Sequence, residues 1–346
     1  MIKNFLIRKI PVFYFLFLTG IAVLSTFLIT YSYYHLKNLS QPDVVYNRNL
    51  STAPSCDYNI RRLDGYNYIR PLLYVDKSCE SGAFTPVKQI VVDIIDKEQQ
   101  KGRISSASVY VRDFNQGDFM SINEDEMYKS SSLLDVPLLI TYLHLDEDNS
   151  GYLNKEVVLN HSYFSTKNKV NTNLNTVIGQ KYSLKKLLEY MIVNGDDNAA
   201  GLLYENVDKK AFCKTFTDIG LTAPKNISQD CPISATDISL FLRTLYNATY
   251  LTINNSEYAT RLLSNGEYKN EGKVMGLPTT VRMAREYGVS NDSKDKELHE
   301  SAIIYVNNCP YIITIMTKGN DLRQLSQVIN QISVAVYKQI VGKSIT

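Results

Sequence analysis

The order of hydrophobic patterns along residues 87 to 341 is the feature that most constrains the fold of this chain. Apolar residues at helical spacing alternate with apolar runs of strand length. In chain order these are a helix at 87–99, strands at 107–114 and 118–123, helices beginning near Ser132, Ser183, Asp197 and Ser234, strands at 302–306 and 311–317, and a terminal helix at 322–341. This order predicts a mixed α/β fold of the α+β class, in which an antiparallel sheet carries helices on one face and an all-helical subdomain is inserted.

The segment from Tyr128 to Ile140 contains a serine at the start of a predicted helix. Apolar residues at i, i+3, i+4 and i+7 predict one buried stripe, made of Val136, Leu139, Ile140 and Leu143. Ser132 followed three residues later by Asp135 also fits a variant of the capping box, in which the hydroxyl accepts from a backbone N–H of the first turn. This interpretation requires no catalysis.

Three short motifs occur in order along the chain. They are Ser132-x-x-Asp135, Asp196-Asp197-Asn198 and Glu286-Tyr287-Gly288. They resemble the S-x-x-K, S-D-N and K-T-G motifs of class A β-lactamases and penicillin-binding proteins, and the similarity extends over roughly residues 87 to 340. The resemblance implies a β-lactamase/transpeptidase-like fold in a bacterial protein. It also implies that Ser132, Asp135, Asp196, Asn198, Glu286 and Gly288 occupy the catalytic positions.

The departures from these motifs predict that the site is catalytically inactive. Asp135 replaces the lysine that helps to activate the serine, and a serine at its ordinary pKa is a weak nucleophile. Glu286 replaces the lysine that attracts the substrate carboxylate, so the charge is reversed. Class A enzymes also need a deacylating glutamate, and there is no glutamate between Glu205 and Glu257. We therefore expect a binding or scaffolding protein whose acidic cleft takes a cell-wall peptide or a cationic ligand.

Other interpretations of the same residues remain open. Ser132 could still be the acyl nucleophile of a serine hydrolase or transpeptidase with a relocated base, and Asp135, Asp196 and Glu286 could form a divalent-cation site. In purely structural roles, Asp196 is the N-cap of a helix and Glu286 an exposed strand residue. Lys129 and Arg285 could neutralise part of the acidic charge. The histidines show no ligand or triad spacing, so we expect neither a metal nor a cofactor.

The composition and the N-terminus predict a membrane-anchored protein. A net charge of +2 with 21% charged residues gives no reason to expect nucleic-acid binding. The run from Pro11 to Tyr34 is apolar, and no Lys, Arg, Asp or Glu lies between Lys9 and Lys37. Basic residues before the run place the N-terminus in the cytoplasm and the rest outside. We divide the chain into a cytoplasmic N-terminus and anchor at 1–35, a stalk and pre-domain segment at 36–84, and a β-lactamase-like domain at 85–346.

The chain has five cysteines, which an extracytoplasmic location would expose to oxidation. Cys56 and Cys79 both fall in the pre-domain segment and are the first candidate pair. Cys213 and Cys231 are the second, which leaves Cys309 over. Spacing alone does not fix this connectivity.

Overall fold

The computed structural model describes residues 24–26, 28, 30–31, 56–163, 175–266, 275–292, 295–306 and 309–343. Residues 1–55 and 56–346 form two separate compact units. In the first unit the described residues are helical and exposed. Among all described residues, none of the helices is both long and apolar enough to cross a membrane. The predicted span from Pro11 to Tyr34 lies mostly outside the described residues and remains a prediction.

The second unit contains strands and helices in the order that the hydrophobic pattern predicts. Its described elements are β1 (Tyr58–Arg62), β2 (Leu72–Lys77), α1 (Thr85–Gln100), β3 (Ser106–Asp113), β4 (Phe119–Ile122), β5 (Tyr128–Lys129), α2 (Asp135–Asp148), β6 (Glu156–Val158), β7 (Lys181–Ser183), α3 (Leu184–Asn194), α4 (Asp197–Asn206), α5 (Lys209–Ile219), β8 (Pro232–Ile233), α6 (Ala235–Tyr246), α7 (Ile253–Ser264), β9 (Arg282–Asn291), β10 (Lys296–Tyr305), β11 (Tyr311–Gly319) and α8 (Leu322–Lys343).

The central sheet has five antiparallel strands in the order β4-β3-β11-β10-β9. The chain therefore builds one half of the sheet before the helical block and the other half after it. Strand β9 forms one edge, and Glu286 on it pairs in register with Ser301 of β10. The predicted antiparallel sheet with an inserted helical subdomain is confirmed.

Helices cover both faces of this sheet, whereas the sequence predicted one covered face. Ile313 and Ile315 pack into a core with α1 and α8, while Ile312 and Met316 pack into a second core with the helical subdomain. Alternate residues of β11 therefore enter different cores. Because β11 is covered on both faces, both sets of alternating side chains are apolar. This is why its sequence is a continuous apolar run and not an alternating one.

Helix α2 runs through the helical subdomain and is buried on all sides. Every residue from Asp135 to Leu143 is buried, so the predicted four-residue stripe is only part of its contact surface. A short 3-10 turn at Ser131–Leu134 precedes the helix, and no side chain caps its N-terminus. The predicted capping box at Ser132 and Asp135 is therefore wrong. The Asp135 carboxyl accepts instead from the Tyr204 hydroxyl of α4, at 2.7 Å.

The segment before α1 is a β1–β2 hairpin that is fixed to the helical subdomain. A disulfide joins Cys56 to Cys79, as predicted. Arg61 Nε donates to the Asp218 carbonyl at 3.0 Å, and Tyr74 Oη donates to the Ile219 carbonyl at 2.6 Å. Both acceptors are carbonyls of the last turn of α5. Such carbonyls find no N–H donor within their own helix, and here the hairpin supplies donors to them.

The second predicted disulfide is wrong. Cys213 lies on α5 with its Sγ 4.0 Å from the Pro224 carbonyl oxygen, whereas the buried Cys231 has its Sγ 3.7 Å from that of Pro232. Both thiols are free, so they are not bonded to each other.

Candidate functional site

Ser132 lies in the 3-10 turn between β5 and α2, partly exposed at the wall of a cavity of about 480 Å³. The turn is held from outside, since Ser130 N donates to the Cys231 carbonyl at 2.9 Å and Ser131 N donates to the Gln229 carbonyl at 2.7 Å. Ser131 has φ 46°, a left-handed conformation that is unusual for a residue with a β-carbon. The Ser132 hydroxyl makes no hydrogen bond to any residue that the structure describes.

Strand β9 passes directly beside the serine turn at Gly288. A β-carbon on Gly288 would lie 2.9 Å from the Ser130 carbonyl oxygen and 3.1 Å from Ser131 Cβ. Only glycine fits this approach without a shift of the backbone. Because side chains alternate along a strand, Glu286 shares the inward face with Gly288 and reaches the cavity.

Glu286 is buried, which contradicts the prediction that it could be an exposed strand residue. Its side chain is only 5% exposed, and its Oε1 accepts from Tyr287 N at 3.1 Å. Its Oε2 is buried and has no hydrogen-bond partner among the described residues. Burial, followed by the nearby Asp135, raises the pKa of this carboxyl well above its usual range. The sequence missed this because the helices that cover the strand come from distant parts of the chain.

Asp135 is the second buried carboxyl of the cavity, with 4% exposure. Burial raises its pKa to about 8, with a smaller opposing contribution from the Tyr204 hydrogen bond and a further increase from Asp197. The carboxyl is therefore mostly protonated at neutral pH. In that state it cannot serve as a general base for Ser132.

Asp196 is fully buried and caps α4, as its structural interpretation predicted. One oxygen accepts from Asn198 N and Ala199 N at 3.0 and 3.1 Å, and the other from Asn175 N and Thr176 N at 2.6 and 3.0 Å. Four backbone donors occupy the carboxylate. It holds the helix start and a neighbouring loop in place.

The next two residues of the motif point in different directions. Asp197 lines the cavity, and burial together with Asp196 raises its pKa to about 6. Asn198 does not line the cavity, because its Oδ1 accepts from Tyr163 N at 2.8 Å and from Ser162 Oγ at 3.0 Å. The structure thus brings Ser132, Asp135, Asp196 and Glu286 to one cavity, while Asn198 and Gly288 lie outside its lining.

The sequence missed Tyr204 and the cavity role of Asp197. Both lie on α4, and Tyr204 follows Asp197 by seven residues. Residues seven apart lie on the same face of a helix, so this spacing was the available signal. Tyr163 and Glu205 also line the cavity and were not predicted.

The cavity is acidic without internal neutralisation. Among the described residues, none of its lining side chains is Lys, Arg or His. The two residues expected to neutralise it have other partners: Lys129 Nζ lies 3.0 Å from Asp292, and Arg285 pairs with the buried Glu300 at 3.0 Å. Arg285 still lowers the pKa of Glu286 through its charge, but burial outweighs this effect.

The divalent-cation hypothesis is wrong for the part of the chain that is described. This part contains no cluster of three or more His, Cys, Asp or Glu side chains placed to hold a metal ion. Asp196 was one of the three proposed ligands, and its oxygens are already occupied by backbone N–H groups.

The sequence profile described as "Beta-lactamase enzyme family" matches residues 86–340. The chain belongs to the beta-lactamase enzyme family. Comparison with curated proteins finds no match.

Solved structures of beta-lactamases and of PBP-A share the fold. A beta-lactamase from Xanthomonas campestris is 17% identical, with 74% of this chain and 98% of that chain covered and a TM-score of 0.63. One from Chitinophaga pinensis is 15% identical, with 73% and 99% covered and a TM-score of 0.61. A mutant of PBP-A, solved as an acyl-enzyme complex with penicillin G, is 15% identical, with 72% and 97% covered and a TM-score of 0.60. At these identities the likeness establishes the fold and leaves the activity to be argued from the site.

Proposed function

We propose that this member of the beta-lactamase enzyme family is a catalytically inactive binding protein. The observation that carries the proposal is the pair of buried carboxyls, Asp135 and Glu286, on the cavity beside Ser132. Burial raises the pKa of both and so disfavours the ionised form that a base requires, and a carboxyl cannot supply the positive charge of the motif lysines. A serine without a base acylates slowly, and a cavity without the motif lysine offers an anionic substrate no positive charge at that position.

The cavity supports a one-residue shift of the S-D-N correspondence. Gly195, Asp196 and Asp197 all line the cavity, whereas Asn198 does not. We therefore align the motif with Gly195-Asp196-Asp197. In this alignment the motif aspartate is kept as Asp196, the buried cap of α4. The motif serine is replaced by Gly195 and the motif asparagine by Asp197. This strengthens the case against catalysis.

Turnover of a chromogenic cephalosporin by the full-length protein tests inactivity. We expect the same rate for the wild type and Ser132→Ala, and no labelling of Ser132 by a fluorescent penicillin. Ser132-dependent turnover would favour the serine hydrolase with a relocated base.

We further propose that residues 11–34 anchor the protein in the bacterial membrane and that residues 56–346 act outside the cytoplasm, in binding or scaffolding at the cell envelope. The Cys56–Cys79 disulfide supports this location, because disulfides persist in oxidising compartments. The expected ligand of the cavity is a cell-wall peptide or a cationic ligand. Protease added to intact spheroplasts should digest residues 56–346, while protection of this unit would contradict the proposed topology.

A further inference from the structure

The cavity beside Ser132 contains an unused acceptor at a buried position. Glu286 is 5% exposed and lines the cavity, and its Oε2 lacks a hydrogen-bond partner among the described residues. A buried carboxyl oxygen without a partner is unfavourable, because it has lost its hydrogen bonds to water. Asp135 lines the same cavity and has only Oδ1 engaged, by Tyr204. The described residues thus leave both carboxyls of the cavity with acceptor capacity that a ligand can use.

The charge balance of the cavity specifies the sign of the missing group. Two further carboxylates, Asp197 and Glu205, belong to the lining, and none of the described lining residues is cationic. Acidic groups gathered without a counter-charge favour a cation. A metal ion is a poor candidate, since the described residues offer no cluster of three suitable ligands.

The remaining walls fit a hydrocarbon stem. Between the carboxyls the cavity is bounded by aromatic and aliphatic side chains, which are Tyr163, Met191, Tyr204, Ile227, Tyr287 and Val289. Such walls remove an alkyl chain from water and present aromatic rings to a cation.

We propose that this cavity binds a primary alkylammonium group, with its N–H donors directed to Glu286 Oε2 and to the Asp135 carboxyl and its alkyl stem against the tyrosine-lined wall. The inference rests on the proposed function, because it treats the cavity as a binding site rather than a catalytic one. The same chemistry can come from a small free amine or from the side chain of a lysine in a peptide. An ammonium group suits two acceptors in a small space, because it is compact and carries three donors.

Binding of this kind must release a proton. The pKa of Asp135 is raised to about 8 and that of Glu286 is raised well above its usual range, so both carboxyls hold their protons more strongly than exposed side chains do. An ammonium ligand favours the ionised carboxyl and displaces a proton into solvent. The titratable or charged groups that act on these two carboxyls are Tyr204 and Asp197 from α4, Arg285 from β9 and Glu300 from β10; Cys231, before β8, acts on Tyr204.

Calorimetric titration of the full-length protein with n-pentylamine, at pH 6, 7 and 8, tests the inference. We expect the affinity to rise about tenfold per pH unit while the displaced proton has a pKa above the pH. Titrations in buffers of different ionisation enthalpy should show about one proton released per amine bound. The neutral analogue 1-pentanol should bind at least tenfold more weakly.

Matched variants locate the site. Glu286→Gln should reduce the number of protons released per amine bound and weaken n-pentylamine binding at least tenfold at pH 8. Glu156→Gln removes one acidic group from an exposed position outside the cavity lining and should change the affinity less than threefold. If Glu286→Gln does not fold by circular dichroism, Asp135→Asn takes its place with the same expectation.

A second pair of probes distinguishes the sources of the amine. Nα-acetyl-lysine methylamide that binds more tightly than n-pentylamine would assign a peptide side chain, and the reverse order would assign a free amine. Its Nε-acetylated form should not bind. Absence of binding by both amines at pH 8, or equal affinity in wild type and Glu286→Gln, would overturn the inference. Turnover of a chromogenic cephalosporin would separately overturn the proposed inactivity, whatever the amine result.

Discussion

The Tyr204 hydroxyl donates a hydrogen bond of 2.7 Å to Asp135 Oδ1 and so joins helix α4 to the start of α2 inside the cavity. Among the described residues, this is the hydrogen bond that the Asp135 carboxyl accepts. The residue stands where the family motif has a lysine. The hydrogen bond lowers the pKa of Asp135, against the larger effect of burial. The carboxyl is thus held as a structural group whose proton is retained near neutral pH.

Tyr204→Phe should raise the pKa of Asp135 above about 8, because the hydrogen bond that favours its ionised form is lost. The variant should also lose about 1–2 kcal/mol of unfolding free energy, since the Asp135 oxygen stays buried without its donor. A carboxyl carbon NMR titration and urea unfolding measure the two effects. An Asp135 pKa that stays the same or falls would contradict this role of the hydroxyl.

The thermal stability should fall as the pH rises from 5 to 8. A carboxyl with a raised folded-state pKa binds more protons when folded, so its contribution is complete below its unfolded pKa of about 4 and is lost as the pH rises through about 8. The slope is about 1.4 kcal/mol per pH unit for each such group within this window. Asp135→Asn and Glu286→Gln should each flatten the dependence of Tm on pH, while Glu156→Gln, at an exposed position outside the cavity, should not. Parallel curves for all four proteins would show that these carboxyls ionise freely in the fold.

Asp196 and Asp197 are adjacent acids with different expected mutational costs. Asp196→Ala removes a buried cap that accepts from four backbone N–H groups and should cost about 2–4 kcal/mol. Asp197→Ala removes a partly exposed cavity carboxylate whose pKa is raised to about 6, and should change stability little. Urea unfolding of both variants measures the difference. Equal costs would contradict the assignment of the cap to Asp196.

Restoring the family's motifs tests whether only the chemistry has been lost. Asp135→Lys and Glu286→Lys, combined with Gly195→Ser and Asp197→Asn, should return detectable acylation of Ser132 by a fluorescent penicillin. A matched variant carries Asp196→Ser in place of Gly195→Ser, with the other three changes kept. It should be labelled less, because it removes the α4 cap. If neither protein labels although both remain folded, the geometry around Ser132 has diverged together with its charges.

The features that could be predicted from the sequence are those that depend on residues close together in the chain. The helix starts near Ser183 and Ser234 and the antiparallel strand pairs follow from local spacing, and the structure confirms them. The burial of Glu286 did not follow, because its surroundings come from α2 and α4, far away in sequence. The direction of Asn198 also depends on a distant partner, the backbone of Tyr163. Alternation along a strand indicates which residues share a face, and it does not show whether a remote helix covers that face.

The φ of 46° at Ser131 has a consequence for how this protein could change. A residue with a β-carbon in that conformation costs about 1–2 kcal/mol, and glycine would remove most of this cost. In a library selected for heat resistance alone, we expect glycine to be enriched at position 131. Where selection also requires a bound ligand, continued recovery of serine there would show that the cavity needs the shape of this turn although it does not use the reactivity of Ser132.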